Sequence, residues 1–413
     1  MISKLTSVNL LVASCIFYLI LIVTTYEANF PEHAHIYTGY STYFRAFLII
    51  LAAIFVVIKM KFVKDGLIFV FSIYTGVGLL TGAIINTEHN LIIRHLFAAC
   101  FMILMYWCGR IMTIDRRVFN KIIQVAAWAI LAAYAIVFFK IQPLLEYNQV
   151  GFSSGPLLLS QAVGLTRGLP LLYIPSFLLI LLGRKRGVIL GSILMFILSI
   201  VFLNKKYSIS QSVKILLIPF LIVLVFVVAF VIYLFKDVLI DLLPFTAGTM
   251  ERFARFFEGN ATISFLLSAR DAEAKGVLDT LSKVPSGMGL LIGAGFGSTY
   301  ELEYFSPYLQ SRQSYILLQP DVVFNYFLMH SGFPAAFLVI LFLLYRILML
   351  YSKLGNSSLH QDIYLFLITY SLDMSLSFVP NNPLFWILLG YTFSVSNINR
   401  KTKKCHHNNC IIK

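Results

Sequence analysis

Gly66-Leu-Ile-Phe-Val-Phe-Ser-Ile-Tyr-Thr-Gly-Val-Gly-Leu-Leu-Thr-Gly-Ala-Ile-Ile85 runs through twenty residues without a single charge. As a helix it reaches about 30 Å, the thickness of the hydrocarbon core of a bilayer. Comparable apolar runs begin near Thr6, Tyr43, Ile92, Phe119, Gly168, Gly187, Val213, Phe333, Ile363 and Pro383. The whole chain follows suit, with 59% hydrophobic residues, 12% charged residues and a mean hydropathy of +0.85 over 413 residues. Soluble domains carry about 25% charged residues. Backbone groups in lipid must be satisfied internally, and the alternating pattern of an outer-membrane barrel is missing. The expected fold is therefore all-α: a polytopic transmembrane helix bundle of about 11–12 spans, with one large extracytoplasmic loop containing short helices. The first apolar segment, after Met1–Leu5, is long and lacks a small-residue cleavage site, so it reads as a retained span.

The formal charge of +14 is distributed in clusters that argue against nucleic acid as the partner. Lys59, Lys61 and Lys64 form one, Arg110, Arg116, Arg117 and Lys121 a second, Arg184, Lys185 and Arg186 a third, and Arg400 to Lys404 a fourth. Short basic loops of this kind face the cytoplasm, and with Lys4 they put both termini inside. Both termini inside requires an even number of crossings, yet the apolar runs number eleven. Gly155, Pro156, Gly168, Pro170 and Pro175 crowd the region between Gly151 and Lys214, where a broken or half-inserted helix is expected. Counting back from an internal C-terminus places the one long polar stretch outside. The organisation is then an N-terminal transmembrane part (1–235), a periplasmic loop (236–321), C-terminal transmembrane helices (322–400) and a cytoplasmic tail (401–413). That tail contains Cys405, His406, His407 and Cys410, which a frayed basic end explains more simply than a metal site.

Ten of the eighteen acidic residues lie between Lys236 and Asp321. Within this stretch Arg252 and Arg255 stand three apart, on one face of a short helix, where they either reach lipid phosphates or are solvated. Ser268-Ala-Arg-Asp271 reads as a capping box opening a helix over 272–284, which puts Arg270 in its first turn. The helix dipole disfavours a cation there, so Arg270 calls for an anion, either Glu273 or a bound phosphate. Next come Pro285 and the glycines Gly293, Gly295 and Gly297, whose spacing supports close backbone approach in a tight loop. The run lacks the Lys-Ser/Thr of a P-loop. Tyr300, Tyr304, Phe305, Tyr308 and Tyr315 either stack on sugars or pack a small lid, and Asp373 is an ionisable group inside an apolar segment.

In these residues the chain resembles the O-antigen polymerase and O-antigen ligase superfamily of bacterial envelope enzymes. The likeness rests on the order of Arg270, the turn from Pro285 to Gly297, a span-opening motif from Pro320 to Pro334, and Val379-Pro-Asn-Asn-Pro-Leu-Phe385. It is best over 236–396; the N-terminal spans match in hydropathy only. The ligase branch has a histidine where this chain has Asp321, which points to the polymerase branch and leaves Asp321 as the candidate base. His330, nine residues later, reads as a packed polar residue.

The resemblance implies polymerisation of undecaprenyl-diphosphate-linked repeat units into O-antigen or a related surface polysaccharide, by a glycosyltransferase of the bacterial inner membrane. Ligase and flippase functions are the alternatives. Such chemistry needs a proton acceptor and neutralisation of the departing diphosphate. Asp321 and Arg270 are the expected catalytic pair, and Arg252, Arg255 and one earlier basic residue, Arg186 or Lys205, the expected diphosphate ligands. No cofactor or metal is expected. Expected partners are the lipid-linked glycan, membrane lipid and a chain-length regulator.

Overall fold

The computed structural model describes residues 2–27, 34–59, 65–86, 88–146, 155–182, 186–207, 234–235, 237, 263–306, 311–317, 320, 322–351, 358–376 and 382–394. These residues are mostly helical. Four helices are long and apolar enough to cross a membrane: α3 (Gly66–Ile85), α4 (His89–Ile111), the Arg116–Phe139 part of α5 (Arg116–Glu146), and Val323–Leu350 within a long C-terminal helix. Two more helices, α1 (Ile2–Glu27) and α2 (Ala34–Lys59), precede them and pack on each other. The start of α3 is set by Asp65, whose carboxylate caps it by accepting the Leu67 N–H at 2.9 Å.

The expected break between Gly151 and Lys214 takes the form of a helical hairpin. α6 (Leu157–Arg167) and α7 (Pro170–Leu182) are joined at Gly168, which adopts φ +65°. Gly164 lets them touch, since a Cβ there would lie 2.7 Å from the Tyr173 Cβ. At 11 and 13 residues the two helices reach only about 16 and 20 Å, well short of a full crossing. Every residue from Leu157 to Gly164 is buried, so α6 is surrounded by protein. α8 (Arg186–Tyr207) follows and approaches the C-terminal helix α12 (Ser358–Leu376) closely, with Gly191 against the Thr369 carbonyl.

Beyond the apolar helices stands α9, which corrects one expectation. It runs Ile263–Ser282, so Ser268 is interior and no capping box opens the helix there. Asp271 pairs with Lys275 one turn on, at 2.8 Å, instead of reaching back, and the apolar Ile263-Ser-Phe-Leu-Leu267 carries the helix through. A single 3₁₀ turn (Pro285–Gly287) and one α-turn, α10 (Gly289–Ile292), lead into the glycine run. An antiparallel hairpin follows, β1 (Tyr300–Ser306) with β2 (Ser311–Leu317), in register Leu302 to Tyr315. Gly276 seats the hairpin on α9, because a Cβ there would lie 2.2 Å from the Glu301 carbonyl oxygen.

The long C-terminal helix is α11 (Val323–Tyr351), broken at Gly332 (φ 76°, ψ 174°) just ahead of Pro334. α12 comes next, and α13 (Pro383–Ser394) completes the order. The Val379–Phe385 motif proves in its second half to be a helix start: Asn382 accepts the Phe385 N–H at 3.0 Å and Pro383 fills the first position. α13 meets α4 backbone to backbone at Gly390 and Gly109, where added Cβ atoms would lie 2.2 Å from the Tyr106 and Ile387 carbonyls.

Two ion-pair clusters tie one end of the helices together. Asp65, with a fully buried side chain, accepts from Arg346 at 2.8 Å and Tyr106 at 3.0 Å and pairs with Arg110 at 2.9 Å. Arg346 also covers the Phe393 ring at 4.4 Å. At the hairpin tip, Arg167 reaches Asp362 at 2.5 Å, Gln124 at 3.1 Å and Asn120 at 2.9 Å, while the Thr166 hydroxyl bonds the same carboxylate. Lys59, Thr113, Arg116 and Arg117 lie at this end too.

Candidate active site

The glycine run settles at the opposite end, against α3, α4 and the break in α11. Gly293, Gly295 and Gly297 have φ of +77°, +80° and +91°, where side chains are strained. Each also lies too close to its neighbours for a Cβ: Gly293 to Ser331, Gly295 to Gly82, Gly297 to Ile92. The small face of α3 makes this possible. Gly82 and Gly78 admit the Phe296 backbone and ring, a small-residue spacing suited to close packing in membranes.

Irregular backbone at such depth must find partners, and here two irregular segments supply one another. The turn at Gly332 takes the Met329 carbonyl out of the helical ladder, and it accepts the Ala294 N–H at 2.7 Å. The Phe296 N–H reaches the Gly78 carbonyl at 2.7 Å, and the Asn86 amide donates to the Ala294 and Phe296 carbonyls at 3.0 and 2.9 Å. The loop is thereby held at both edges.

Beneath it lies a histidine pair. The Gly297 N–H donates to His95 Nδ1 at 3.0 Å, which leaves the His95 proton on Nε2. The His330 ring sits 4.5 Å from His95 and 4.5 Å from Tyr326, fully buried. Neither His330 nitrogen finds a partner in hydrogen-bond geometry, although the Tyr326 carbonyl one turn back is within electrostatic reach. The Tyr74 hydroxyl and the Arg45 guanidinium of α2 are within electrostatic reach of Tyr326. His95, His330 and Tyr326 thus cluster beneath the loop among otherwise apolar helices.

Above the start of α11, the anion beside Arg270 is Glu273. Its carboxylate takes Arg270 at 2.9 Å on one oxygen, and the Val322 N–H at 2.9 Å and Asn325 amide at 3.1 Å on the other. Glu273 is nearly inaccessible, whereas the Arg270 side chain is 30% exposed. Part of the arginine side chain therefore stays accessible. Its anchor doubles as the cap of α11 and fixes the chain right after Asp321. On the outer face of α9, the Asp279 carboxylate 2.5 Å away raises the Lys283 ammonium pKa, an exposed pair of little energetic weight.

Of the residues expected from sequence, Arg270 and the three glycines fall into this region. Arg252, Arg255 and Asp321 lie outside the described residues, as does the 401–413 tail. Arg186 and Lys205 stand at opposite ends of α8; their side chains, and those of Asp373, Tyr304 and Tyr315, are also outside the described residues. The ion pairs at Asp65 and Asp362, His95 and Arg45 were not singled out, whereas His330, read as a packed polar residue, is fully buried. Each carries one available signal, an ionisable residue within or beside an apolar run.

No protein-family model, curated protein or solved structure matches the chain. Any functional reading therefore rests on the residues themselves.

Proposed function

We propose that the protein is a polytopic membrane enzyme that extends a lipid-linked polysaccharide, transferring glycan from an undecaprenyl diphosphate carrier at the extracytoplasmic face of a bacterial inner membrane. The α6–α7 hairpin supports the topology. A hairpin of partial length that enters and leaves on one side subtracts one crossing from the eleven apolar runs, which makes the number even and both termini cytoplasmic. The Arg110–Arg117 end is then inside, and the glycine loop, α9 and the β-hairpin are outside. Arg186 faces out and Lys205 in, which favours Arg186 as a ligand.

The observation that carries the reading is Glu273, which binds Arg270 and caps α11 at once. It holds a partly exposed guanidinium beside the chain that leads to Asp321. A guanidinium can neutralise a departing diphosphate, and a neighbouring carboxylate can take the acceptor proton. The test is complementation of a deletion strain, with surface glycan resolved by size. Loss of a polymerase leaves single-repeat glycan outside, loss of a ligase leaves long polymer on the carrier, and loss of a flippase leaves units inside. Arg270→Ala at normal protein level should shorten the ladder to single repeats; an unchanged ladder would remove Arg270 from the mechanism.

A carrier is the second reading, favoured by the broken helix at Gly332 with His330 at the break and by the buried Arg167–Asp362 pair. Discontinuous helices and buried charges of this kind line transport sites. Accumulation of unexported units in the deletion strain would select it.

A further inference from the structure

Between Lys283 and Glu301 the chain carries no charge, although it belongs to the polar end of the molecule. The 3₁₀ turn at Pro285–Gly287 and α10 open this segment. The side chains of Met288, Leu290 and Leu291 are exposed, the two leucines by 53% and 61%. Apolar side chains gathered on one short turn call for a cover, and their level in the molecule identifies it.

α3 sets that level. Its 20 uncharged residues match the hydrocarbon core of a bilayer, so Ile85 marks one edge. The Thr81 hydroxyl donates to the Ile292 carbonyl at 3.4 Å, four residues or about 6 Å inside that edge. The Phe296 N–H meets the Gly78 carbonyl about 10 Å inside it. α11 agrees. A Cβ on Gly332 would lie 2.3 Å from the Leu291 carbonyl oxygen, and Gly332 stands nine residues, about 14 Å, into that helix. α10 therefore ends below the bilayer surface. On the two helices that hold it, Leu80, Ile84 and Phe333 are exposed as well, as the lipid-facing residues of spans are. The backbone of the turn is suited to this depth, because Leu291 and Ile292 donate to the Met288 carbonyl at 2.8 and 3.0 Å and Gly293 to the Gly289 carbonyl at 2.8 Å.

We propose that α10 is a lipid-inserted anchor, with Met288, Leu290 and Leu291 among the acyl chains of the leaflet on the α9 side. The depth of about 6 Å is that of interfacial helices, whose apolar faces enter about 5–10 Å. The partner is the bilayer itself. The anchor sits where three elements converge: Gly289 packs on the Leu281 carbonyl at the end of α9, Gly293 opens the glycine loop, and Leu291 abuts the break in α11. Naming that leaflet the outer one rests on the arrangement proposed above; the insertion does not.

The test uses the full chain in a variant lacking its own cysteines, spin-labelled at Leu290→Cys or Leu291→Cys in phosphatidylcholine nanodiscs. Collisions with oxygen, which partitions into lipid, and with a water-soluble nickel chelate report the surroundings. Leu80→Cys on α3 marks lipid and Lys275→Cys on α9 marks water. Both α10 labels should match Leu80, with nickel collisions severalfold below those at Lys275. Nickel collisions equal to those at Lys275 place α10 in water and overturn the proposal. Labels shielded from both reagents reveal a protein cover, either a second copy or another segment of this chain, and overturn it equally. Should the cysteine-free variant fail to fold, Leu291→Trp in the native chain replaces it. Phosphatidylcholine brominated in the upper part of its acyl chains should quench the fluorescence added to that of Trp107, Trp128 and Trp386, and added fluorescence that escapes quenching overturns the insertion.

Discussion

A single carboxylate, Glu273, organises the outer end of the molecule. It is buried and accepts three hydrogen bonds, one of them from a charged group. Glu273→Gln keeps the shape and one acceptor but loses the charge, and is expected to cost about 1–3 kcal/mol, read as a lower melting temperature in detergent. Asp65→Asn is expected to cost more, about 3–5 kcal/mol, because it leaves Arg110 and Arg346 both buried without their anion. Sequence named Glu273 as one of two possible partners of Arg270, and the structure shows that pairing. Sequence could not show that the same carboxylate caps α11, since Val322 lies 49 residues away and no local pattern records the encounter.

Elements differ in how openly they declare themselves. α3 is legible as a span from its uncharged length, and the glycine run as a tight turn from its spacing. The start of α9 was misread because Ser268 and Asp271 imitate a cap, while the apolar residues before them outweigh that local preference. The β-hairpin was missed although Tyr300-Glu-Leu-Glu-Tyr304 alternates with period two, a weak signal in a segment this short. The glycines offer a graded test of how the loop is seated. Gly295→Ala combines φ +80° with a Cβ only 2.2 Å from the Gly82 nitrogen, and is expected to destabilise by more than about 2 kcal/mol. Gly76→Ala, on α3 with nothing within 4 Å, is expected to be neutral or slightly stabilising. Equal melting temperatures for the two variants would show that the loop is not held against α3.

At the scale of the whole molecule the proposed arrangement makes a statement about sides. Lys275 is exposed on α9 and Lys121 on α5, near opposite ends of the helices. In intact cells of a variant lacking its own cysteines, Lys275→Cys should react with a membrane-impermeant maleimide and Lys121→Cys only after lysis. The reverse pattern would invert the topology. In the proposed arrangement the inside rests on the charge clusters, and the crossing number on the half-length of α6 and α7, which hydropathy averages into one span.

The ion pairs also bear on how the chain is made. Arg167 waits for a carboxylate 195 residues later, and Asp65 for a guanidinium 281 residues later. During synthesis Arg167 therefore has Asn120 and Gln124 but no carboxylate until α12 is made, and α3 begins with an acid only partly neutralised by Arg110. A chain interrupted before residue 358 lacks Asp362, the carboxylate that clasps Arg167 at the hairpin tip.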